Sequence, residues 1–239
     1  MSLKILKENE EGFGILVEGD AGSVSENIQS ELINEEVNRG ELDLSQPIYY
    51  YATLQKYGTE NRNGRVYPEK ILKREVEKYR EVIARNASFH ELDHPQESVI
   101  SLKGGSPHRI VDMFWKDNVL IGKLEILVSE GFRKNGVISC NGDLTAMYLS
   151  YGMTLGISSR GVGTLKKVNG RNVVQDDFEL ICWDVVSSPS TPGSYLYKDQ
   201  NDFKKYDEVL DNTNDISENK SEDDKESDFM NNLNKFLGM

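Results

Sequence analysis

The chain has 239 residues, a length that allows one sizeable hydrophobic core, and we expect one catalytic domain with tails. A formal net charge of −12 argues against binding to a nucleic-acid backbone, because that affinity depends largely on Lys and Arg. No apolar run approaches the roughly 20 residues of a membrane-spanning helix, and no signal-peptide pattern is visible, so we expect a cytoplasmic protein. The two cysteines, Cys140 and Cys182, are expected to be unpaired core thiols.

The two ends of the chain differ from its centre in composition. Residues 1–46 form an N-terminal segment in which Ser23 to Val37 predicts a polar helix. Residues 199–239 carry twelve acidic and five basic side chains, a composition typical of a disordered tail. Apolar residues recur at helical spacing after Ser227, which predicts a short amphipathic segment at the end. Residues 47–198 remain for the catalytic domain.

The first predicted core elements are a strand and a helix. Ile48 to Leu54 has the β-branched and aromatic bias of a strand. The polar stretch Asn61 to Pro68 predicts a loop, and Pro68 suits the start of a helix that continues to about Arg85. The apolar side of this helix is expected to comprise Ile71, Leu72, Val76, Tyr79 and Ile83.

The second half of the domain predicts mainly strands joined by short turns. His108 to Trp115 and Val119 to Val128 predict a hairpin, and a helix is expected over Leu144 to Tyr151. Thr154 to Lys167 and Val173 to Val186 predict two further strands around an Asn-Gly turn. We therefore expect an α+β domain with a mainly antiparallel sheet or barrel core and a few flanking helices.

The chain has three histidines, and two of them lie in a known zinc-binding pattern. His90-Glu91-Leu92-Asp93-His94 matches HExxH, in which two imidazoles on one helical face hold zinc and the glutamate activates water. This pattern predicts a metallopeptidase. Asp93 and Pro95 disfavour the helix that it requires, and no third ligand follows at an informative spacing.

A Ser-His-acid triad is the competing arrangement. Ser158 lies in the glycine-rich run Gly156 to Gly163, where glycines would allow a substrate backbone to approach and would leave N–H groups for an oxyanion. Asp184 interrupts an otherwise apolar strand, and a buried carboxylate needs a partner. Local sequence equally fits a turn at the serines and a solvent-facing Asp184.

Four separated motifs together carry a family resemblance. They occur in order over about residues 48–197 and comprise residues 61–68 (NRNGRVYP), 91–95 (ELDHP), 156–163 (GISSRGVG) and 183–192 (WDVVSSPSTP). In these motifs the chain resembles the prohead core protein proteases of large contractile-tailed phages, a family similar in fold to herpesvirus assemblin. Four matched motifs in sequence are far more specific than any one alone.

The resemblance implies roles for five residues. Ser158 becomes the nucleophile, because shorter members of the family have Gly-apolar-Ser followed by one residue and Gly. Ser159 is the alternative, and only one of two adjacent strand residues can face His94. His94 becomes the general base and Asp184 the third triad member. Arg160 is expected either to help the oxyanion site or to form a structural salt bridge. No cofactor or metal is implied.

The resemblance also implies substrates and a location. We expect a serine endopeptidase that cleaves scaffold or core proteins and the major capsid protein after Glu in Leu/Ile-x-Glu sites. The chain itself contains such triplets, including Ile216-Ser217-Glu218, so self-cleavage is expected. The enzyme would act inside the prohead in the cytoplasm of the infected bacterium, and a homo-oligomer is compatible with this. The alternatives are the zinc metallopeptidase of His90, Glu91 and His94 and a non-enzymatic prohead core or scaffold protein.

Overall fold

The structure is a computed structural model that describes residues 14–17, as backbone, together with residues 42–95 and 98–199. Ten strands and three helices lie within these ranges. The strands are β1 Gly14–Val17, β2 Ile48–Lys56, β3 Arg65–Val66, β4 His108–Lys116, β5 Val119–Ile126, β6 Gly156–Gly163, β7 Leu165–Val168, β8 Arg171–Val174, β9 Glu179–Val186 and β10 Leu196–Tyr197. The helices are α1 Glu69–Ala84, α2 Glu130–Asn135 and α3 Asn141–Ser150. The predicted polar helix over Ser23 to Val37 and the C-terminal amphipathic segment lie outside the described residues.

The four-stranded sheet has the order β10-β2-β5-β4 and is antiparallel throughout. The predicted hairpin is confirmed as β4 and β5, and Asp117 adopts a positive φ of 51° in its tight turn. Tyr50, Ala52 and Leu54 on β2 are fully buried, as the strand prediction requires. This sheet supplies one wall of the core.

The second sheet contains the serine-bearing strand at its centre. Its order is β1-β6-β9, and both pairings are antiparallel. The segment around Leu92 adds to the free side of β9 through a parallel bridge between Leu92 and Val185. The Trp183 Nε1–H on β9 donates to the Leu54 carbonyl of β2 at 3.1 Å, which links this sheet to the first.

The third sheet, of order β3-β8-β7, corrects two predicted strands. Thr154 to Lys167 divides into β6 and β7, and Val173 to Val186 divides into β8 and β9. Thr164 marks the first division, because its N–H and hydroxyl both donate to Asp177 Oδ1, at 3.0 and 2.9 Å. The predicted hairpin around Asn169-Gly170 is present between β7 and β8, with both residues at positive φ.

Helix α1 agrees with its prediction. It begins after Pro68, ends before Arg85 and buries Ile71, Leu72, Val76 and Tyr79. Its buried face also includes Glu75, whose carboxylate lies 2.8 Å from both Arg74 Nε and Lys78 Nζ. Two nearby cations thus offset the cost of burying a carboxylate that the apolar pattern did not predict.

The region before β6 differs from prediction at two points. Helix α2 was not predicted, and α3 begins at Asn141, three residues before the predicted Leu144. Asp143 explains the early start, because its carboxylate accepts hydrogen bonds from the N–H groups and hydroxyls of Ser129 and Ser139. Cys140, predicted as a core thiol, is half-buried at the N-terminal end of α3, whereas Cys182 is buried and both are unpaired.

The described residues are mainly antiparallel strands with three helices, so the predicted α+β class is confirmed. The apolar core is one cluster that includes side chains from the first two sheets and α1, among them Tyr50, Val76 and Trp183. No helix in the described part of the chain is long and apolar enough to span a membrane.

Candidate active site

The four sequence motifs meet around strand β9. The Glu91 carbonyl accepts from the Val185 N–H at 3.0 Å, and the Asp93 N–H donates to the Val185 carbonyl at 2.7 Å. Strand β6, which contains the serine run, pairs with the other side of β9. The Arg62 N–H of the first motif donates to the Ser190 carbonyl in the turn after β9 at 3.1 Å. Segments far apart in sequence therefore form one site.

His94 and Asp184 are in direct contact. His94 Nδ1 lies 2.9 Å from Asp184 Oδ2, and the Asp184 side chain is fully buried. Because an ionised carboxylate can only accept, Nδ1 donates its proton and Nε2 of a neutral His94 ring has a lone pair. Nε2 is itself buried and has no hydrogen-bond partner within the described residues.

The pKa of Asp184 reflects opposing effects. Burial alone would raise it, but the hydrogen bond from His94, the charge of Arg160 and the Glu91 N–H together outweigh burial and lower the pKa below its ordinary value. Asp184 is therefore ionised at neutral pH. An ionised carboxylate on Nδ1 is what stabilises an imidazolium ring.

The pairing of β6 with β9 separates the two serines. Ser158 pairs with Asp184, and Ser159 pairs with Trp183. Paired residues of adjacent strands project from the same face of a sheet, and neighbours along a strand project from opposite faces. Ser158 therefore shares a face with Asp184, and Ser159 lies on the face of Trp183, whose ring is in the hydrophobic core. Both serines are buried, at 2% exposure.

Arg160 lies on the Asp184 face and contacts two carboxylates. Its Nε is 2.9 Å from Asp184 Oδ2, and its Nη2 is 2.5 Å from Glu91 Oε2. The arginine side chain is fully buried. Cys182 lies beside Asp184, with its Sγ 3.2 Å from Asp184 Oδ1. The guanidinium thus belongs to a buried ionic cluster.

His90 has surroundings unlike those of His94. Its Nδ1 accepts from the Trp183 N–H at 3.2 Å, and its Nε2 lies 2.8 Å from Ser88 Oγ. The ring stacks on His108 with centroids 4.1 Å apart. Residues 90–94 are not helical, so the two imidazoles of the HExxH pattern share no helical face. The described residues contain no cluster of three or more His, Cys, Asp or Glu side chains suited to a metal.

Two glycines of the serine run serve internal packing. A Cβ at Gly156 would lie 2.6 Å from Pro189 Cδ, and a Cβ at Gly161 would lie 2.4 Å from Phe178 Cε2. At these two glycines the nearest groups are side chains of the protein itself. An alanine at either position would force these neighbours to move.

Sequence reasoning considered Glu91 as part of a zinc motif and missed its contact with Arg160. One signal could have indicated the contact. Arg160 occurs in a strand that the pattern predicts to be buried, and a buried guanidinium needs a carboxylate partner. The neighbouring motifs contain three acidic residues, Glu91, Asp93 and Asp184, and Arg160 contacts the first and the last of them.

Comparison with known proteins gives consistent results. A family model described as prohead core protein serine protease matches residues 12–202. The prohead core protein protease of Enterobacteria phage T4 is 30% identical over 159 residues, which cover 65% of this chain and 71% of the relative.

Among solved structures, the bacteriophage T4 capsid assembly protease matches with a TM-score of 0.56 at 25% identity, covering 76% of this chain and 100% of that structure. The family match spans most of the chain, the T4 relative has a matching name, and the T4 structure has a similar fold. This chain therefore belongs to the prohead core protein serine protease family.

Proposed function

We propose that the chain is a serine endopeptidase of prohead maturation with Ser158 as nucleophile, His94 as general base and Asp184 as the acid of the triad. The observation that carries this proposal is the 2.9 Å contact between His94 Nδ1 and Asp184 Oδ2, with Ser158 opposite Asp184 in the β6–β9 ladder. Ser159 projects from the other face of the sheet, which favours Ser158.

The reaction follows from these positions. Ser158 Oγ attacks the scissile carbonyl carbon, and its proton moves to His94 Nε2 and then to the leaving amine. Water then attacks the acyl ester, and its proton passes to His94 Nε2 and from there to the departing Ser158 Oγ. Asp184 keeps the ring oriented and stabilises the imidazolium through Nδ1. The chain's own side chains are sufficient for every proton transfer.

Backbone geometry favours the Ser159 N–H as an oxyanion donor. The Ile157 N–H donates to the Ser194 carbonyl at 2.7 Å, on the side of β6 that faces away from β9. Because strand amides alternate, the Ser159 N–H points to that same side, next to Ser158. One such donor contributes about 3–4 kcal/mol in other proteases. The carboxylate contacts of Arg160 favour a structural role for its guanidinium.

Strand β1 suggests how an extended peptide would reach the site. It runs antiparallel to β6, and its last residue, Val17, pairs with Arg160, two residues from Ser158. A substrate strand in this place would run towards the serine in its N-to-C direction. The carbonyl of the residue before the scissile bond would then reach the serine. Residue 18 is Glu, so Leu16-Val17-Glu18 has the form of a Leu-x-Glu site. We infer self-cleavage after Glu18 and Glu218 in addition to cleavage of scaffold, core and major capsid proteins.

The test compares Ser158→Ala with Ser159→Ala in the full-length chain. A synthetic peptide of residues 212–222, which contains Ile216-Ser217-Glu218, serves as substrate, and the same peptide with Glu218→Gln serves as its control. We expect Ser158→Ala to lower kcat by about 10⁴-fold or more and Ser159→Ala to change it by less than about tenfold.

Intact mass measured on the same samples reports self-cleavage, which Ser158→Ala should abolish. Loss of activity in Ser159→Ala alone would reverse the assignment of the nucleophile. Full activity in both variants would contradict serine catalysis at this run. If the wild-type chain cleaves neither this peptide nor prohead proteins, the non-enzymatic alternative is favoured.

A further inference from the structure

Two further charged side chains, Arg160 and Glu91, extend the contact between His94 and Asp184 into a buried ionic cluster. Arg160 is fully buried, and Glu91 is only 12% exposed. The two side chains meet at 2.5 Å, and Arg160 Nε lies 2.9 Å from Asp184 Oδ2. The order of contacts is therefore Glu91, Arg160, Asp184, His94. Removing charges from water is costly, so such a cluster persists only where its members compensate one another.

The Asp184 carboxylate is held from three directions. The Glu91 N–H donates to Oδ1 at 2.9 Å, and Arg160 Nε and His94 Nδ1 both approach Oδ2 at 2.9 Å. Rotation of the carboxylate would break at least one of these contacts. Glu91 takes part twice, directly through its N–H and indirectly through its side chain on Arg160.

The formal charges of the cluster add up to zero in one protonation state of His94. Glu91 and Asp184 contribute two negative charges and Arg160 contributes one positive charge. The cluster reaches neutrality when His94 becomes an imidazolium, and poorly hydrated sites favour neutral clusters. Without the Glu91 charge, neutrality would instead coincide with the neutral ring. Glu91 therefore supplies the negative charge that balances an imidazolium at position 94.

We propose that Glu91 is a positioning residue which, through Arg160, holds the Asp184 carboxylate and so sets the orientation of the His94 ring, and whose charge balances the cluster when that ring carries the proton of the reaction. The inference rests on the proposed triad, and it assigns to Glu91 a role that involves neither metal nor contact with substrate. Arg160 is the connecting member.

Glu91→Gln tests the proposal, because it removes the charge and preserves the shape of the side chain. Glu125→Gln is the matched control. Glu125 is 14% exposed and forms an ion pair with Arg109 at 2.6 Å, outside this cluster. The readout is the pH profile of kcat and KM on the peptide of residues 212–222. Thermal unfolding of each variant reports the folded fraction.

We expect Glu91→Gln to lower kcat about tenfold, to change KM less than about twofold, and to move the acid limb of the profile to lower pH. A conserved pH profile in Glu91→Gln, or an equal loss in Glu125→Gln, would overturn the proposal. A merely structural glutamate would lower stability and leave the acid limb in place.

A second readout needs no turnover. The proton between His94 Nδ1 and Asp184 gives a downfield NMR resonance, and its position and width report the geometry of that hydrogen bond. We expect this resonance to move upfield or broaden in Glu91→Gln and to stay unchanged in Glu125→Gln. If no variant cleaves peptide, the proposed function fails, and the resonance still decides the role of Glu91. An unshifted resonance in Glu91→Gln overturns the inference.

Discussion

His90 and His94 lie four residues apart beside the same strand, yet their environments are opposite. His90 is fully buried, accepts from the backbone of Trp183 and stacks on a second buried imidazole, His108. His94 faces an ionised carboxylate through Nδ1 and has an unpaired Nε2 within the described residues. The first ring has the contacts of a structural residue, and the second has those of a base.

The difference between the two rings follows from their main chain. Leu92 bridges to β9, and Asp93 then adopts a positive φ of 64°, so Glu91 to Asp93 form no helical turn. Without a helix, side chains four residues apart do not share one face. The HExxH sequence is present, but residues 90–94 do not form the helix on which two zinc-binding imidazoles would share one face.

The largest effect should come from replacing each ring by the same side chain. We expect His94→Gln to lower kcat by about 10⁴-fold at little cost in stability, because it removes the proposed general base. We expect His90→Gln to lower the free energy of unfolding by about 1–3 kcal/mol, because the buried Trp183 N–H loses its acceptor, with kcat of the folded protein within about tenfold.

Peptide cleavage and urea denaturation measure these two effects. Loss of kcat in a stable, folded His90→Gln protein would contradict the structural assignment of that ring. The metallopeptidase alternative would be favoured by two results together. Both His90→Gln and His94→Gln would lose kcat, and the wild-type enzyme would lose activity with a chelator and regain it with zinc.

A middle-sized effect is expected from the acid dependence of stability. Burial lowers the pKa of His108 to about 3, and burial together with the neighbouring His108 lowers the pKa of His90. The unfolded chain therefore binds more protons, so stability is fully present above about pH 6.5 and is lost as pH falls. Each buried ring approaches a loss of about 1.4 kcal/mol per pH unit.

His108→Phe retains an aromatic ring for stacking and removes one titrating group. We expect the slope of unfolding free energy against pH to fall by roughly half between about pH 5 and 6. Urea titrations at several pH values measure the slope. An unchanged slope would mean that His108 is protonated in the folded protein or does not contribute.

The smallest effect should come from Tyr79→Phe. The Tyr79 hydroxyl approaches Ser88 Oγ and His90 Nε2 at 3.4 Å each, which is long for hydrogen bonds. We expect a loss of about 1 kcal/mol or less in unfolding free energy and an unchanged kcat. A loss of several kcal/mol, or any change in kcat, would show that the His90 region is coupled to the catalytic residues more closely than its contacts indicate.

Elements with strong local signals were predictable from the sequence. Pro68 and the helical spacing of apolar residues predicted helix α1, and the Asn169-Gly170 pair predicted the turn between β7 and β8. Elements that depend on distant partners were not. The divisions of the β6–β7 and β8–β9 segments need Thr164 to meet Asp177, and the early start of α3 needs Asp143 to meet Ser129. No local pattern contains such contacts.

The site divides in the same way. The proposed triad residues were selected by family resemblance, because composition and spacing left Asp184 free to face solvent and the two serines equivalent. Strand pairing adds an observation that favours Ser158, since it places that serine opposite Asp184. The role proposed for Glu91 depends on a contact with Arg160, 69 positions later in the chain, which a local motif does not contain.

The adjacent serines have a consequence for folding. A one-residue slip of β6 along β9 in the direction that brings Ser159 opposite Asp184 would still pair a hydroxyl with this carboxylate, so the serines alone do not define the alignment. The same slip would turn Arg160 away from its carboxylates and towards the apolar side of Trp183, where an unpaired charge is very costly. Arg160 therefore disfavours the misaligned pairing of β6 with β9, because that register would leave its buried charge without a carboxylate partner. The side chain that completes the ionic cluster also selects the register that places Ser158 opposite Asp184.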